Sequence, residues 1–283
     1  MGIRILLFFQ EISNPILDKI FIFITNLGSE AFYLMFIAYI YWCINKKFGI
    51  KLFSVLAVSI YSNNLLKVIF HTGRPFLHSE IQTPYIQSAP GNSFPSGHTQ
   101  GSTTFWYYMM KKVRKKIIYI IGWIVIILVG ISRLYLRVHW PIDVIGGLIL
   151  GILIVWLFQS ILDYLKKHDS KLINIGLITM LVLMHFFAIT ESNIKMTALL
   201  SGTLLGSFLE TKYINFNEYN SFLNQLVKYL IGLLSILLIR SLFFTILPMN
   251  IYFVYLGHFI LGICLTLVVP LLFVILGLAR KKG

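Results

Sequence analysis

Long apolar stretches separated by short charged runs are the feature that most constrains this chain. Nine such stretches can be drawn between about residues 30 and 278, with runs such as Lys46-Lys47, residues 111–116 and Lys166-Lys167 between them. Of the 283 residues, 58% are hydrophobic and only 12% are charged, whereas average soluble chains contain about 25% charged residues. The pattern predicts an all-α fold, a polytopic transmembrane helical bundle of about nine spans.

The N-terminal segment differs from the other apolar stretches. Over residues 13–27, which open with Asn14-Pro15, apolar and polar side chains alternate at helical spacing. This is typical of an amphipathic helix that lies at the membrane interface instead of crossing it. The chain is therefore divided into an interfacial N-terminal segment (residues 1–28), a core with the first five spans (residues 29–165) and additional C-terminal spans (residues 166–283).

Lysine and arginine are distributed unequally between the two sides of the membrane that nine alternating spans create. One side collects the runs named above and Arg280-Lys281-Lys282, and the other side has few cations. Because cytoplasmic loops carry the excess of positive charge, the C-terminus is predicted in the cytoplasm and the N-terminus outside. Positive charge confined to short loops also argues against nucleic acid as a partner, despite a net charge of +14.

Three short polar clusters fall on the outer side in this topology. Ionisable groups are costly at membrane depth, so their concentration in an apolar chain indicates a functional site. In chain order the clusters are Lys67 with Arg74-Pro75, then Pro95-Ser96-Gly97-His98, then Ser132-Arg133 with His139 and Asp143.

Each cluster has a chemistry suited to phosphate. Lys67 supplies a point charge, and the planar fork of Arg74 matches phosphate oxygens. Gly97, in the first turn of a predicted helix, lets an oxyanion approach free backbone N–H groups. Asp143 follows His139 by about one helical turn, where a carboxylate accepts one ring N–H and leaves the other nitrogen nucleophilic. Taken singly, each cluster also fits an ordinary helix cap or a snorkelling cation.

In this order and spacing, the clusters resemble the signature of the type 2 phosphatidic acid phosphatase superfamily over residues about 50–160. The resemblance implies that His139 attacks phosphorus to give a phosphohistidine, that Asp143 orients it, and that His98 protonates the leaving group. It also implies a set of phosphate-binding residues: Lys67, Arg74, Ser96, Gly97 and Arg133. No metal or other cofactor is expected, and Asp143 is the only carboxylate in the clusters, too few for a magnesium site.

The resemblance further implies an integral membrane enzyme that acts on a membrane lipid phosphate. High usage of Ile, Lys and Asn indicates a bacterium, in which the membrane would be the plasma membrane. The third span, from about Ser96 to Lys111, has about 16 residues or about 24 Å, less than the roughly 30 Å of the hydrocarbon core. Its first turn is therefore expected at headgroup level on the extracytoplasmic face. Three alternatives stay open: a soluble phosphoester as substrate, as in glucose-6-phosphatases; transfer of phosphate to a second lipid or glycan; and a non-enzymatic lipid transporter.

Overall fold

The computed structural model describes residues 2–168, 170–188, 190–246 and 250–282, and over these ranges the chain is all-α, as predicted. A single bridge between Phe216 and Lys281 is the β-structure of the described residues. The helices are α1 (Gly2–Glu11), α2 (Pro15–Asn26), α3 (Glu30–Tyr39), α4 (Lys46–Phe70), α5 (Gly97–Val113), α6 (Lys116–Tyr135), α7 (Pro141–His168), α8 (Ser170–Phe186), α9 (Glu191–Tyr213), α10 (Phe222–Ile246), α11 (Ile251–Ile263) and α12 (Val269–Ile275). A π-helical turn extends α3 over Ile40–Ile44, and another, Cys264–Val268, joins α11 to α12.

Five helices of the described chain are long and apolar enough to cross a membrane, namely α4, α6, α7, α10 and the continuous α11–α12. The count rises to six if α2 and α3, which are bent by 49° relative to each other, form one broken span. The predicted number of nine is therefore not confirmed, nor is the interfacial position of the N-terminal segment. The shortfall has a physical reason: α5 and α8 have 17 residues each, and α9 carries two glutamates and two lysines.

Helix α5 illustrates why hydropathy misses such elements. Its buried residues include Thr99, Gln100, Ser102, Thr103 and Thr104. A helix enclosed by protein need not be apolar, because its polar groups meet other side chains instead of lipid.

The chain forms two compact units. Unit 1 comprises Met1–Tyr33 and Val58–Asn174, and unit 2 comprises Leu34–Ala57 and Ile175–Gly283. All three polar clusters belong to unit 1. The division predicted from the sequence, at residues 1–28, 29–165 and 166–283, stays a prediction.

In unit 1, α5 packs against both α6 and α7, and glycines of α7 set the closest approach. A Cβ atom at Gly147 would lie 2.7 Å from the carbonyl oxygen of Ser96, and one at Gly151 would lie 2.6 Å from Cβ of Thr103. Small residues four apart let two helix backbones come together. As a result the first turns of α5 and α7 are joined directly, since the N–H of Ser96 donates to the carbonyl of Asp143 at 3.0 Å.

In unit 2, α9 and α11 pack by the same device. A Cβ atom at Gly262 would lie 2.5 Å from both the carbonyl oxygen of Leu199 and the N–H nitrogen of Thr203. The chain end then returns to the α9–α10 connection, where Asn217 N–H donates to the carbonyl of Arg280 at 2.7 Å. Unit 2 is thus held by close helix packing and by its C-terminal residues.

Candidate active site

A histidine–aspartate pair lies at the start of α7. Nδ1 of His139 is 3.2 Å from Oδ2 of Asp143, as the spacing predicts, and both side chains are buried. The same Oδ2 accepts hydrogen bonds from the hydroxyl of Ser93 at 2.5 Å and from the N–H of Trp140 at 2.8 Å. With its hydrogen on Nδ1, His139 donates to Asp143 and keeps a lone pair on Nε2. The ring is therefore oriented with one nucleophilic nitrogen.

The guanidinium of Arg74 lies directly beside that nitrogen. Nη1 is 2.9 Å from Nε2 of His139 and donates to the carbonyl of Val138 at 2.8 Å. Nε donates to the carbonyl of Gly91 at 3.0 Å, and Nη2 donates to that of Pro90 at 2.9 Å. Three carbonyls thus fix a planar cation at the place where a phosphoryl group would meet His139.

Lys67, in the last turn of α4, is joined to the long loop that precedes α5. Its Nζ donates to the carbonyl of Asn92 at 2.6 Å, and Nδ2 of Asn92 donates back to the carbonyl of Lys67 at 2.7 Å. The loop is fixed again where Ser93 N–H donates to the Thr72 carbonyl and Phe94 N–H donates to the Thr72 hydroxyl, at 2.9 and 2.7 Å. These bonds place Ser93 against Asp143.

Ser96 is the N-cap of α5, as the Pro95-Ser96-Gly97-His98 motif predicts. Its hydroxyl accepts a long hydrogen bond from the N–H of Thr99 at 3.5 Å. Gly97 opens the helix, and a Cβ atom there would lie 3.2 Å from Oδ1 of Asn63. His98 follows in the first turn and makes no hydrogen bond within the described ranges, so its ring nitrogens are available for proton transfer.

Arg133 is fully buried near the end of α6. Nη1 donates to the hydroxyl of Thr25 at 2.6 Å and to that of Ser88 at 3.2 Å, and Nη2 donates to the carbonyl of Ser88 at 3.0 Å. Its motif neighbour Ser132 instead donates to the carbonyl of Val129, one turn earlier in the same helix. Of these two side chains, only that of Arg133 makes hydrogen bonds outside α6 within the described part of the chain.

Arg137, which lies within the third motif, has a structural role. Its guanidinium donates to the carbonyls of Gln82, Phe9 and Tyr135 at 2.5, 3.1 and 2.9 Å. These bonds tie the loop after α6 to α1 and to the loop before α5.

The cations of the three clusters act together on the histidine. Burial, and then the positive charges of Arg74, Arg133 and Lys67 with a contribution from His98, hold the pKa of His139 well below its usual value of 6.5. The imidazole is therefore neutral at physiological pH. Neutral imidazole is the form that attacks phosphorus, so the surrounding charges favour a nucleophilic role.

An apolar cavity of about 510 Å³ opens beside the pair. Its volume is in the range of ligand pockets. Phe70 and Ile142, which line it, are 52% and 62% exposed. The lining residues are Phe70, Thr72, Gly73, His78, Phe94, Trp140, Ile142 and Asp143. Aromatic and aliphatic side chains thus lead to the carboxylate.

The sequence is similar to those of known proteins. The chain matches the PAP2 superfamily over residues 48–167, which contain all three clusters. It is 30% identical over 173 residues to phosphatidylglycerophosphatase B of Bacillus subtilis, an alignment that covers 56% of this chain and 82% of that protein. The chain belongs to the PAP2 superfamily. The resemblance predicted from the three motifs is therefore confirmed, and with it a membrane phosphatase.

Two further similarities are to proteins of Bacillus subtilis. The chain is 29% identical over 167 residues to the undecaprenyl-diphosphatase BcrC of Bacillus subtilis, covering 57% of this chain and 83% of that protein. The crystal structure of a transmembrane PAP2 phosphatidylglycerolphosphate phosphatase from Bacillus subtilis is similar with a TM-score of 0.47 and 27% identity, covering 58% of this chain and 85% of that one. Residues 194–281, which fall within the predicted C-terminal spans, match the transmembrane extension of PAP2 superfamily phosphatases.

Sequence reasoning missed several residues of the site. Ser93 donates to Asp143, Asn63 lies against Gly97, and Thr25 accepts from Arg133. Serine, asparagine and threonine are frequent in loops and caps, so nothing in a single sequence marks these three. Only the contacts in unit 1 identify them.

Proposed function

We propose that this PAP2 phosphatase hydrolyses membrane lipid phosphates, monoesters or diphosphates, through a phosphohistidine on His139 and without a metal. The observation that carries the proposal is the position of Nε2 of His139. Asp143 orients its lone pair, and the guanidinium of Arg74 is fixed 2.9 Å away. A nucleophile and a charge-stabilising donor at the same phosphorus are what phosphoryl transfer requires.

In the first step, Nε2 of His139 forms a bond to phosphorus while the bond from phosphorus to the leaving oxygen breaks. His98, whose protonated form is stabilised by the bound phosphate anion, donates a proton to that oxygen, which leaves as an alcohol or a phosphate monoester. Developing negative charge on the phosphoryl oxygens is stabilised by Lys67, Arg74 and Arg133. Ser96 and the N–H groups at the start of α5, beginning with Gly97, complete the oxyanion site.

In the second step, a water molecule attacks phosphorus and the bond to Nε2 of His139 breaks. His98, now neutral, accepts a proton from this water, so both histidines return to their initial states. Orthophosphate is released. Throughout, Asp143 stays ionised and stabilises the positively charged ring of the intermediate.

The cavity favours a lipid over a sugar as the leaving group. Its lining is mainly aromatic and aliphatic, and it reaches Asp143. A lipid chain next to the phosphate would replace water against these side chains, which contributes about 25 cal/mol for each Å² buried. The names of the two Bacillus subtilis relatives make an isoprenyl diphosphate and phosphatidylglycerophosphate the first substrates to assay.

Replacing Phe70 by alanine is expected to raise KM for a lipid phosphate about tenfold. A buried phenylalanine contributes roughly 1.5–3 kcal/mol of apolar transfer free energy, and this side chain forms one wall of the cavity. Hydrolysis of water-soluble p-nitrophenyl phosphate should be affected much less, because its single ring buries less apolar surface in the cavity than a lipid chain does. Steady-state kinetics in detergent micelles measure both substrates.

The matched control for Phe70 is its neighbour. Ile69 is 69% exposed and does not line the cavity, so Ile69→Ala should leave both KM values unchanged. An equal loss on lipid and soluble substrates in Phe70→Ala would contradict a lipid-binding cavity.

The pH dependence should report the charges around His139. Because its pKa in the folded protein is lowered, the imidazole stays neutral below pH 6.5 and protonates only as the pH falls through that depressed value. Removing the charge of Arg74 by Arg74→Gln is expected to move the acid limb of kcat/KM to higher pH. The wild-type and Arg74→Gln proteins are compared on the same substrate, so the titration of the substrate itself cancels. Arg137→Gln, which removes a cation that does not act on His139, should leave the limb in place.

We further propose nine membrane crossings, with α3, α5, α8 and α9 added to the five helices that meet the hydropathy criterion. An odd number of crossings puts the two termini on opposite sides, and the excess of positive charge on one side assigns the C-terminus to the cytoplasm and the N-terminus to the outside. Helix α4 then ends on the side where α5 and α7 begin. Residues 1–28 would lie in the outer interface, and the site would face the extracytoplasmic leaflet. Accessibility of single cysteines to an impermeant maleimide in intact cells, at His71 and at Lys115, tests the orientation.

Three assays separate the remaining alternatives, which are a soluble substrate, phosphate transfer and lipid transport. Glucose 6-phosphate would inhibit lipid hydrolysis at millimolar concentration or below if a soluble phosphoester were the substrate. Phosphate transfer to an added lipid alcohol would appear as a radiolabelled lipid in place of orthophosphate. A transporter would move lipid equally well with and without the His139 imidazole.

A further inference from the structure

We propose that the N-terminal helices α1 and α2, and Thr25 in particular, position Arg133 and His98 for phosphoryl transfer. This inference rests on the proposed function of the same site. The segment lies outside both regions that match the superfamily, which are residues 48–167 and 194–281. In this proposal Thr25 is a positioning residue, which acts on the substrate through Arg133.

Thr25 makes the shortest hydrogen bond to the Arg133 side chain. Its hydroxyl accepts from Nη1 at 2.6 Å, and both side chains are fully buried. Ser88 binds the same guanidinium with its hydroxyl and carbonyl at 3.2 and 3.0 Å. Hydrogen bonds to a charged group are stronger than neutral ones, and a buried arginine without acceptors is costly. Thr25 therefore fixes the direction in which the remaining N–H groups of Arg133 point.

The turn after α2 also touches the proposed general acid. A Cβ atom at Gly28 would lie 2.6 Å from Cγ1 of Val129 and 3.4 Å from Cβ of His98. Glycine is therefore required where the turn passes between α6 and the first turn of α5. The same short segment, from Thr25 to Gly28, therefore hydrogen-bonds to Arg133 and passes next to His98.

Further bonds hold the N-terminal helices against the site-forming elements. The hydroxyl of Tyr135 donates to Asp18 at 2.8 Å, and Phe21 stacks on the Tyr135 ring with 4.0 Å between centroids. Oε1 of Gln10 accepts from the N–H of Gln82 at 2.7 Å. A threonine on a helix pair that is fixed at several points is pre-organised, which is what a positioning role requires.

The test compares three single variants of the full chain. Thr25→Val keeps the shape and removes the acceptor, so kcat/KM for a lipid phosphate should fall about tenfold. Thr25→Ser keeps the hydroxyl and should restore activity to near that of the wild-type protein. Thr103→Val is the matched control, because Thr103 is equally buried and donates only within α5, to the carbonyl of Thr99. It should leave kcat/KM unchanged.

A double-mutant comparison separates positioning from a general loss of stability. If Thr25 acts through Arg133, Thr25→Val should have no further effect on the residual activity of Arg133→Ala. A full tenfold penalty in that background, or wild-type kcat/KM in Thr25→Val, would overturn the proposal. Should valine prevent folding, as judged by size-exclusion chromatography, Thr25→Ala and Ser88→Ala make the same comparison.

Binding of inorganic phosphate keeps this test independent of turnover. Phosphate should raise the thermal midpoint of the wild-type and Thr25→Ser proteins, and raise it less in Thr25→Val and Arg133→Ala. If no lipid or soluble phosphoester is hydrolysed, the proposed function fails, and the phosphate shift still decides the role of Thr25. If hydrolysis depends on His139 while Thr25→Val matches the wild type in both measurements, only the inference about Thr25 fails.

Discussion

Replacing His139 by asparagine is expected to lower kcat at least about a thousandfold, because the lone pair of an amide nitrogen is delocalised into the carbonyl and does not attack phosphorus. Asparagine also cannot carry the positive charge of the intermediate beside Asp143. Rapid quenching in alkali, with a ³²P-labelled lipid phosphate as substrate, should trap an alkali-stable, acid-labile phosphoenzyme in the wild type. The His139→Asn variant should yield none, and His98→Asn should slow both formation and breakdown of the label.

The control for this experiment is a histidine outside the site. His71 lies exposed in the loop after α4 with φ of 45°, a conformation that asparagine also tolerates, so His71→Asn should keep wild-type activity. Substantial activity in His139→Asn, or a phosphoenzyme label retained by that variant, would show that another residue is the nucleophile.

The second large effect is expected in unit 2, where Glu210→Gln should lower the free energy of unfolding by roughly 3–5 kcal/mol. Nζ of Lys46 is buried and lies 3.0 and 3.1 Å from the two carboxylate oxygens of Glu210, which is itself fully buried. The neutral amide can still accept one hydrogen bond, but it removes the countercharge of the buried ammonium, whose other acceptors are the side-chain oxygen of Asn215 and the carbonyl of Phe216, at 3.1 and 3.2 Å. Thermal unfolding in detergent, monitored by circular dichroism, measures the loss.

Two variants sharpen this prediction. Lys46→Met combined with Glu210→Met removes both charges, so it should recover most of the stability that Glu210→Gln loses. Glu191→Gln breaks the exposed ion pair with Lys195, whose groups are 58% and 40% exposed, and should leave the thermal midpoint nearly unchanged. Wild-type stability in Glu210→Gln would mean that the pair contributes little to unit 2.

The histidine–aspartate pair could be predicted because its geometry is local. His139 and Asp143 are four residues apart at a helix start, and that spacing alone brings a ring nitrogen to a carboxylate. Arg133 was likewise predicted from its motif. Its acceptor Thr25, however, is 108 residues away in the chain, and no short-range pattern specifies such a contact.

Helix positions were predictable, and membrane crossings were not. Apolar periodicity marks α6 and α7 because lipid selects apolar side chains around them. Helix α5 packs against protein, so its threonines and glutamine can hydrogen-bond to neighbouring groups. These polar residues lower its mean hydropathy. Lys46 is a second example of what hydropathy and charge patterns miss. It was predicted to be a cytoplasmic loop charge, and in the structure it forms a buried ion pair with Glu210.

Composition and short-range motifs were enough to predict the all-α class and the superfamily and to nominate the reacting groups, because these depend on residues that are close together in the chain. Long-range packing instead selected the acceptors that orient those groups: Ser93 on Asp143, three carbonyls on Arg74, and Thr25 on Arg133. A hydrogen bond depends on the distance and angle between its atoms, and the packing of α2, α6 and the loop before α5 sets both.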